Sequence, residues 1–243
     1  MEVLQAVRNL PAEDPRKARF QEAIGRTRRA LDLYKGGAEI ALSFNGGKDS
    51  TVVLHLLRAA VKDRELDRET KEERETTSSS SSSSSSWPFL TFFFPHTDDF
   101  PEITTFVSET ERAFSLGIHS FPSSVGFKEG LEDLVQSRGV RAIVIGTRSG
   151  DPNAKGQNVF CPSSESWPAF MRVNPILDWS YADVWSFLLL IKADYCGLYD
   201  SGFTSLGSTK DTKRNEGLLR EDGTYEPAHA LVKGEEERAG RAN

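Results

Sequence analysis

Apolar positions recur at helical spacing from about Asp14 to Tyr34, where Phe20, Ala23, Ile24, Ala30, Leu31, Leu33 and Tyr34 share one side. Gly36-Gly37 then stops that helix. The short apolar run Glu39–Phe44, bounded by glycines, predicts a buried strand. After Asn45-Gly46-Gly47 the pattern turns helical again, from roughly Asp49 to Asp63, with Val52, Val53, Leu56 and Leu57 on one side. Strand, glycine-rich turn and helix in close succession open an α/β unit.

The next stretch breaks the pattern. Lys62–Glu75 holds five basic and seven acidic residues among fourteen, and Thr76-Thr77 and nine serines, Ser78–Ser86, follow. Such a segment has too little apolar surface to offset its ordering entropy, so residues 62–86 read as a disordered insertion within one domain spanning 1–243. A phosphorylated regulatory loop is the functional alternative. Order resumes with a strand over Pro88–Phe94 and a helix from Pro101, whose inner side carries Ile103, Phe106 and Phe114. Leu116–Phe121 predicts a further strand, Phe127–Ser137 an amphipathic helix, Val140–Ile145 a strand, and Ser180–Ile191 a last helix. Strands alternating with helices predict an open, mostly parallel twisted sheet with helices on both faces. The loop-rich segment beyond Gly146 would lie over the carboxyl ends of the strands, where such sheets bind ligands.

Composition narrows the function classes. Thirty basic against 36 acidic residues give a net charge of −6, which argues against a nucleic-acid partner. No apolar run approaches the roughly 20 residues of a membrane span. The first residues lack the layout of a signal peptide, so the expectation is a cytoplasmic protein. Cys161 and Cys196 show neither disulfide nor metal spacing and read as buried small hydrophobes. His55, His96, His119 and His229 likewise show no ligand spacing.

Ser43-Phe-Asn-Gly-Gly-Lys-Asp-Ser50 carries the strongest chemistry. Gly46 and Gly47 let backbone approach an anion, and the following helix offers unpaired N–H groups and its positive dipole end. Ser43, Ser50 and Thr51 add hydroxyls, and Lys48 adds charge. The order is not that of a Walker A loop, because Asp49 follows the lysine. At these residues the chain resembles the PP-loop ATP pyrophosphatases, whose signature is Ser-Gly-Gly-Lys-Asp-Ser. The asparagine narrows the resemblance to the branch of PAPS reductases and eukaryotic FAD synthases.

The second half is similar to FAD synthases in particular. Ala142–Pro152 looks like that family's strand ending in Gly-Thr-Arg-x-x-Asp-Pro, and Ser166–Trp179 like its Trp-Pro-x-Phe-x-Arg-x-Asn-Pro stretch. Tyr195–Gly207 and the Arg238-Ala-Gly-Arg241 end resemble its remaining motifs. PAPS reductases need a carboxyl-terminal Cys-Gly-x-His segment, and this chain has none. The family usually carries an aspartate three residues before the tryptophan; Ser164 stands there, with Glu165 beside it.

From the residues alone, Thr147, Arg148 and Asp151 fall just beyond a strand end, within reach of a ligand. Trp167 either stacks on a planar ring or packs on the core. Arg172 is either a phosphate clamp or a surface ion-pair partner. The resemblance implies transfer of AMP from ATP to FMN, giving FAD and pyrophosphate. It implies Asn45, Asp49, Asp151 and Arg238 as catalytic, and Ser43, Asn45, Gly46, Gly47, Lys48, Asp49, Ser50 and His96 on the ATP and pyrophosphate side. Thr147, Arg148, Ser164, Glu165, Trp167, Arg172, Arg238 and Arg241 would form the flavin side. Mg²⁺ would be held by the phosphates, with Asp49 or Asp151 joining through water. A monomer working on small molecules, with flavoprotein clients and no membrane, completes the expectation. The alternatives are another PP-loop adenylating enzyme and a nucleotide-binding module without catalysis.

Overall fold

The computed structural model describes residues 2–34, 37–75 and 87–241, with side chains of the long third helix described through Arg68. Its strands are β1 (Ile40–Ser43), β2 (Leu90–Phe93), β3 (Ile118–Ser120), β4 (Ala142–Val144), β5 (Phe160–Pro162) and β6 (Met171–Val173). They form a six-stranded sheet in the order β3-β2-β1-β4-β6-β5. Every neighbouring pair is parallel except β5–β6. The mostly parallel sheet is therefore as expected. β5 and β6, which the sequence pattern does not reveal, add an antiparallel edge; three residues each is too short for a period to register.

The helices are α1 (Val3–Arg8), α2 (Pro15–Leu33), α3 (Lys48–Glu75), α4 (Pro101–Phe114), α5 (Phe127–Glu132) and α6 (Tyr181–Ile191), with a π-helical turn, Asp133–Ser137, continuing α5. Their starts follow local chemistry. The Asp14 carboxylate accepts the Arg16 N–H at 2.9 Å ahead of Pro15 in α2. Ser180 and Asp183 form a reciprocal capping box on α6, with bonds of 3.2 and 2.8 Å.

Alternation along the strands sends side chains to two cores. Ile40 and Leu42 of β1 and Ala142 and Val144 of β4 join the larger one, beneath α1, α2, α3, α4 and α6. Ala41, Phe92 and Ile143 face a smaller one with Leu131 and Leu134 of α5 and the π turn. The chain runs outward from β1 through β2 to β3, then returns to place β4 on β1's other side. The carboxyl ends of β1 and β4 thus flank the switch point, where open α/β sheets take ligands.

The charged stretch corrects the disorder reading. Lys62–Glu75 is helical, the second half of α3. Arg28 of α2 pairs with Asp63 at 2.6 Å and with Asp67, and Arg64 donates to the Leu31 carbonyl at 2.9 Å. These cross-helix contacts, with Leu66 packed against the larger core, order a segment whose composition alone would leave it loose. The polyserine run lies outside the described residues.

One buried histidine sets a pH dependence. His55 of α3 is 7% exposed, edge-on to Phe114 at 5.6 Å, with Arg58 Nη1 3.3 Å from its Nδ1. Burial, and then the Arg58 charge, lower its pKa to about 4 from 6.5. The folded state thus binds fewer protons than the unfolded one between those values, so stability is lost as pH falls from 6.5 towards 4. At pH 5 this group is expected to contribute about 2 kcal/mol of destabilisation relative to pH 7. Denaturant titrations of wild type and His55→Gln at both pH values check it: the variant should lose correspondingly less, and an equal loss refutes the assignment.

Candidate active site

The loop between β1 and α3 is shaped by its own side chains. Gly46 sits at φ +73°, and a Cβ there would lie 3.1 Å from Val107 and 3.3 Å from Ile103 of α4, so the position needs glycine twice over. Asn45 Oδ1 accepts the Gly47 N–H at 3.0 Å and lies 2.8 Å from Ser50 Oγ. The Asn45 Nδ2 group bonds to no described residue, and Asn45 lines the cleft described below. Thr51 Oγ1 donates to the Gly47 carbonyl at 3.0 Å. The Lys48 N–H is taken by the buried Tyr199 hydroxyl at 2.9 Å, leaving the next N–H groups of α3's first turn without intrahelical partners. Tyr199 comes from a distant 3₁₀ turn, Gly197–Ser201, and nothing local in the sequence points to it.

Beneath the loop lies a ring of four charges. Lys48 Nζ is 3.1 Å from Asp49 Oδ2 and 3.3 Å from Glu237 Oε2. Arg148 Nε is 2.7 Å from Asp49 Oδ1, a contact poorly aligned for a hydrogen bond and so chiefly ionic, and Arg148 Nη2 donates to Glu237 Oε1. Lys48 and Arg148 are 3% and 5% exposed. Burial works against both charges, yet Asp49 and Glu237 outweigh it and raise both pKa values. This corrects two expectations. Lys48 and Arg148 line neither lobe of the cleft described below; they hold the loop, the end of β4 and the carboxyl tail together. Glu237 was not foreseen, since a carboxylate in an acidic tail carries no signal of burial.

Close packing brings these groups together. A Cβ on Gly146 would lie 2.8 Å from the Asp49 carbonyl carbon, so β4 can run directly against the start of α3. Thr204 Oγ1 donates to the Glu237 carbonyl at 2.6 Å, and Asn215 Nδ2 donates to Thr204 Oγ1 and the Glu236 carbonyl. Further along the tail, Arg241 donates to the Leu206 carbonyl at 2.8 Å and fills the space over Gly207.

A cleft with two lobes opens above the strand ends. The first lobe, about 530 Å³, is lined by Asn45, Gly47, Phe94, His96, Asp98 and Asp99 among others. The second, about 630 Å³, is lined chiefly by Leu131, Ile145, Ser164, Trp167, Phe170 and Arg172. Ser43, Phe92 and Phe127 border both. Arg172 donates to the Pro162 carbonyl at 2.9 Å and reaches Ser164 Oγ at 3.3 Å, with no carboxylate partner among the described residues. Trp167 packs against the smaller core, the second of its two readings, and also lines the lobe. Cys196 is buried, but Cys161 is half-buried on the cavity wall, a correction to its reading as core.

The remaining expected residues divide. Ser43, Asn45, Gly47 and His96 reach the first lobe, and Ser164, Trp167 and Arg172 the second, while Gly46, Lys48, Asp49 and Ser50 shape the loop from below. Thr147 is half-buried and borders neither lobe; Glu165 and Arg238 are exposed. Arg241 anchors the 206–211 loop and not the cavity wall. Asp49 has both oxygens against cations, Oδ2 against Lys48 and Oδ1 against Arg148. Asp151 Oδ2 accepts the Arg148 N–H at 2.8 Å, and burial raises its pKa. No cluster of three metal-ligating side chains occurs among the described residues.

A parallel sheet with a glycine-turned anion loop at its switch point defines a PP-loop type of nucleotide-binding protein. The model of the phosphoadenosine phosphosulfate reductase domain matches residues 39–136 and 127–214. A probable FAD synthase of Schizosaccharomyces pombe is 40% identical over 215 residues, 88% of this chain and 75% of that protein. A probable FAD synthase of Caenorhabditis elegans is 36% identical, and the chain spans 37% of its length. The structure of Candida glabrata FMN adenylyltransferase with FMN and the ATP analogue AMPCPP matches with a TM-score of 0.80 at 26% identity, over 99% of this chain and 96% of that one. The chain belongs to the FAD synthase family, in the PAPS reductase-like branch.

The buried charge ring yields a direct expectation. Glu237→Gln strands one excess positive charge in the interior, at a cost of about 3 kcal/mol. Denaturant unfolding measures it, and a loss below about 1 kcal/mol, typical of an exposed pair, shows that the ring is solvated. Removing residues 235–243 should accordingly disturb ATP and FMN handling alike, not FMN alone.

Proposed function

We propose that this protein is an FAD synthase, transferring AMP from ATP to the phosphate of FMN. The observation that carries the reading is the two-lobed cleft: an anion loop in one lobe, an aromatic and arginine-lined cavity in the other, meeting at Ser43. Two substrates in those lobes would bring their phosphates together at the junction.

An FMN phosphate oxygen attacks the α-phosphorus of ATP; that P–O bond forms as the bond to the β-phosphate oxygen breaks, and pyrophosphate leaves with the electron pair. No proton transfer is required, so the protein's work is positioning and charge stabilisation. The first turn of α3 and the Asn45 amino group stabilise charge on the phosphates. Arg172, unpaired by any carboxylate, orients the FMN side, and Trp167 bounds the flavin. His96 and the end of β2 border the adenosine. Mg²⁺ bound to the triphosphate supplies further neutralisation of its oxygens; of the carboxylates weighed for it, Asp151 alone keeps an oxygen clear of ion pairs. The unpaired cysteines suit a reducing cytosol, where FAD would pass from a monomeric enzyme to flavoprotein clients.

The test is FMN-dependent formation of FAD and pyrophosphate from ATP by the purified protein. Asn45→Ala should slow it about a hundredfold, as for loss of one transition-state donor. Asn45→Asp keeps an acceptor for the Gly47 N–H but removes the amino donor, and should be as slow while unfolding normally. Near-normal turnover in folded Asn45→Asp would refute the role given to Nδ2.

A further inference from the structure

The lobes of the cleft meet at a side chain with no part in the account so far. Phe127 opens α5 and is 51% exposed, although it is a large apolar residue. With Ser43 and Phe92 it borders both lobes. Its ring is held from two sides, by Phe94 at 4.7 Å and 55° and by Trp167 at 5.8 Å and 71°. Phe94 in turn stacks on Phe121, 4.4 Å away and 6° from parallel. Gly130 has no room for a side chain, since its Cβ would lie 2.4 Å from the Phe94 ring. The missing side chain lets α5 lie directly against the Phe94–Phe121 stack, within a turn of Phe127.

A lone exposed phenylalanine on a convex surface is ordinary. Inside a concave cleft, braced by a tilted Phe94 and an edge-on Trp167, it presents an apolar surface suited to a flat ring. The two lobes differ in which ring they suit. Both linings mix apolar and polar groups: the first sets His96, Asp98 and Asp99 among Phe93, Phe94 and Ile103, whereas the second sets the Trp167 indole and the Arg172 guanidinium among Leu131, Ile145 and Phe170. A broad tricyclic flavin carrying a phosphate suits the second, where an aromatic ring and an arginine without a carboxylate partner among the described residues share one wall.

We propose that Phe127 is the partition between the two substrates: its ring packs on the isoalloxazine of FMN in the second lobe and keeps the flavin from sliding towards the phosphate loop. This rests on the FAD synthase reading. Because Phe127 is half exposed, replacing it should leave the fold intact.

FMN titrations without ATP, followed by flavin absorbance and fluorescence, test the partition. Phe127→Ala should weaken FMN binding about tenfold, with ATP affinity changed less than about twofold. Phe127→Trp should keep FMN affinity and quench bound FMN more strongly than the wild-type protein, in which the Trp167 indole alone lies in that lobe. Gly130→Ala, which pushes α5 off the Phe94 ring, should weaken FMN in the same direction. FMN affinity unchanged in Phe127→Ala, or a loss confined to ATP, overturns the proposal while the enzyme's activity stands. Wild-type protein that binds no FMN overturns the FAD synthase reading and the partition together.

Discussion

Two cations and two carboxylates, drawn from three stretches of chain, share one buried site under the phosphate loop. Lys48 and Asp49 come from the loop's own helix, Arg148 from the far end of β4, and Glu237 from the carboxyl tail. None of these charges is stable in the interior alone, because desolvation costs several kcal/mol per ion. Together they cancel. The loop, the β4 end and the tail are therefore bound to one geometry, and the position of the loop relative to the cleft depends on a residue 188 positions beyond Asp49. Tyr199 adds a neutral bond to the same place, its hydroxyl accepting the Lys48 N–H.

That arrangement changes where the positive potential of the site originates. With Lys48 and Arg148 neutralised, an anion in the first lobe meets the start of α3 and the Asn45 amino group, dipoles that need no reorganisation when charge develops. Arg172 is different. Carbonyl and hydroxyl oxygens hold it on the wall of the second lobe, so its full charge stays available. A protein of net charge −6 thus meets two anionic substrates with Arg172 and Lys155 in the wall of the second lobe and a helix end beside the first.

The switch-point topology explains why both lobes share a border. β1 lies between β2 and β4, and Ser43 at its carboxyl end touches each lobe. The second lobe owes its outer wall to β5 and β6, whose antiparallel pairing brings Cys161 opposite Arg172. Without that edge hairpin, Trp167 and Arg172 would sit on an unsupported loop.

The sequence by itself determined the elements whose signals are local. The periods of α2 and α4, the short apolar runs of β1 and β4, and the glycines of the phosphate loop all depend on neighbours within a few residues. The helix over Lys62–Glu75 was hidden for the same reason: its first half, through Arg68, meets Arg28 and Leu31 on another helix, which no local pattern records. Tertiary structure alone decided which charges face substrate and which face each other. Arg148 and Arg172 are chemically the same, yet one meets Asp49 and Glu237 and the other meets backbone carbonyl and open cavity. Burial and pairing arise from segments far apart in the chain, and the free energy of a charge depends on those neighbours and not on its own identity.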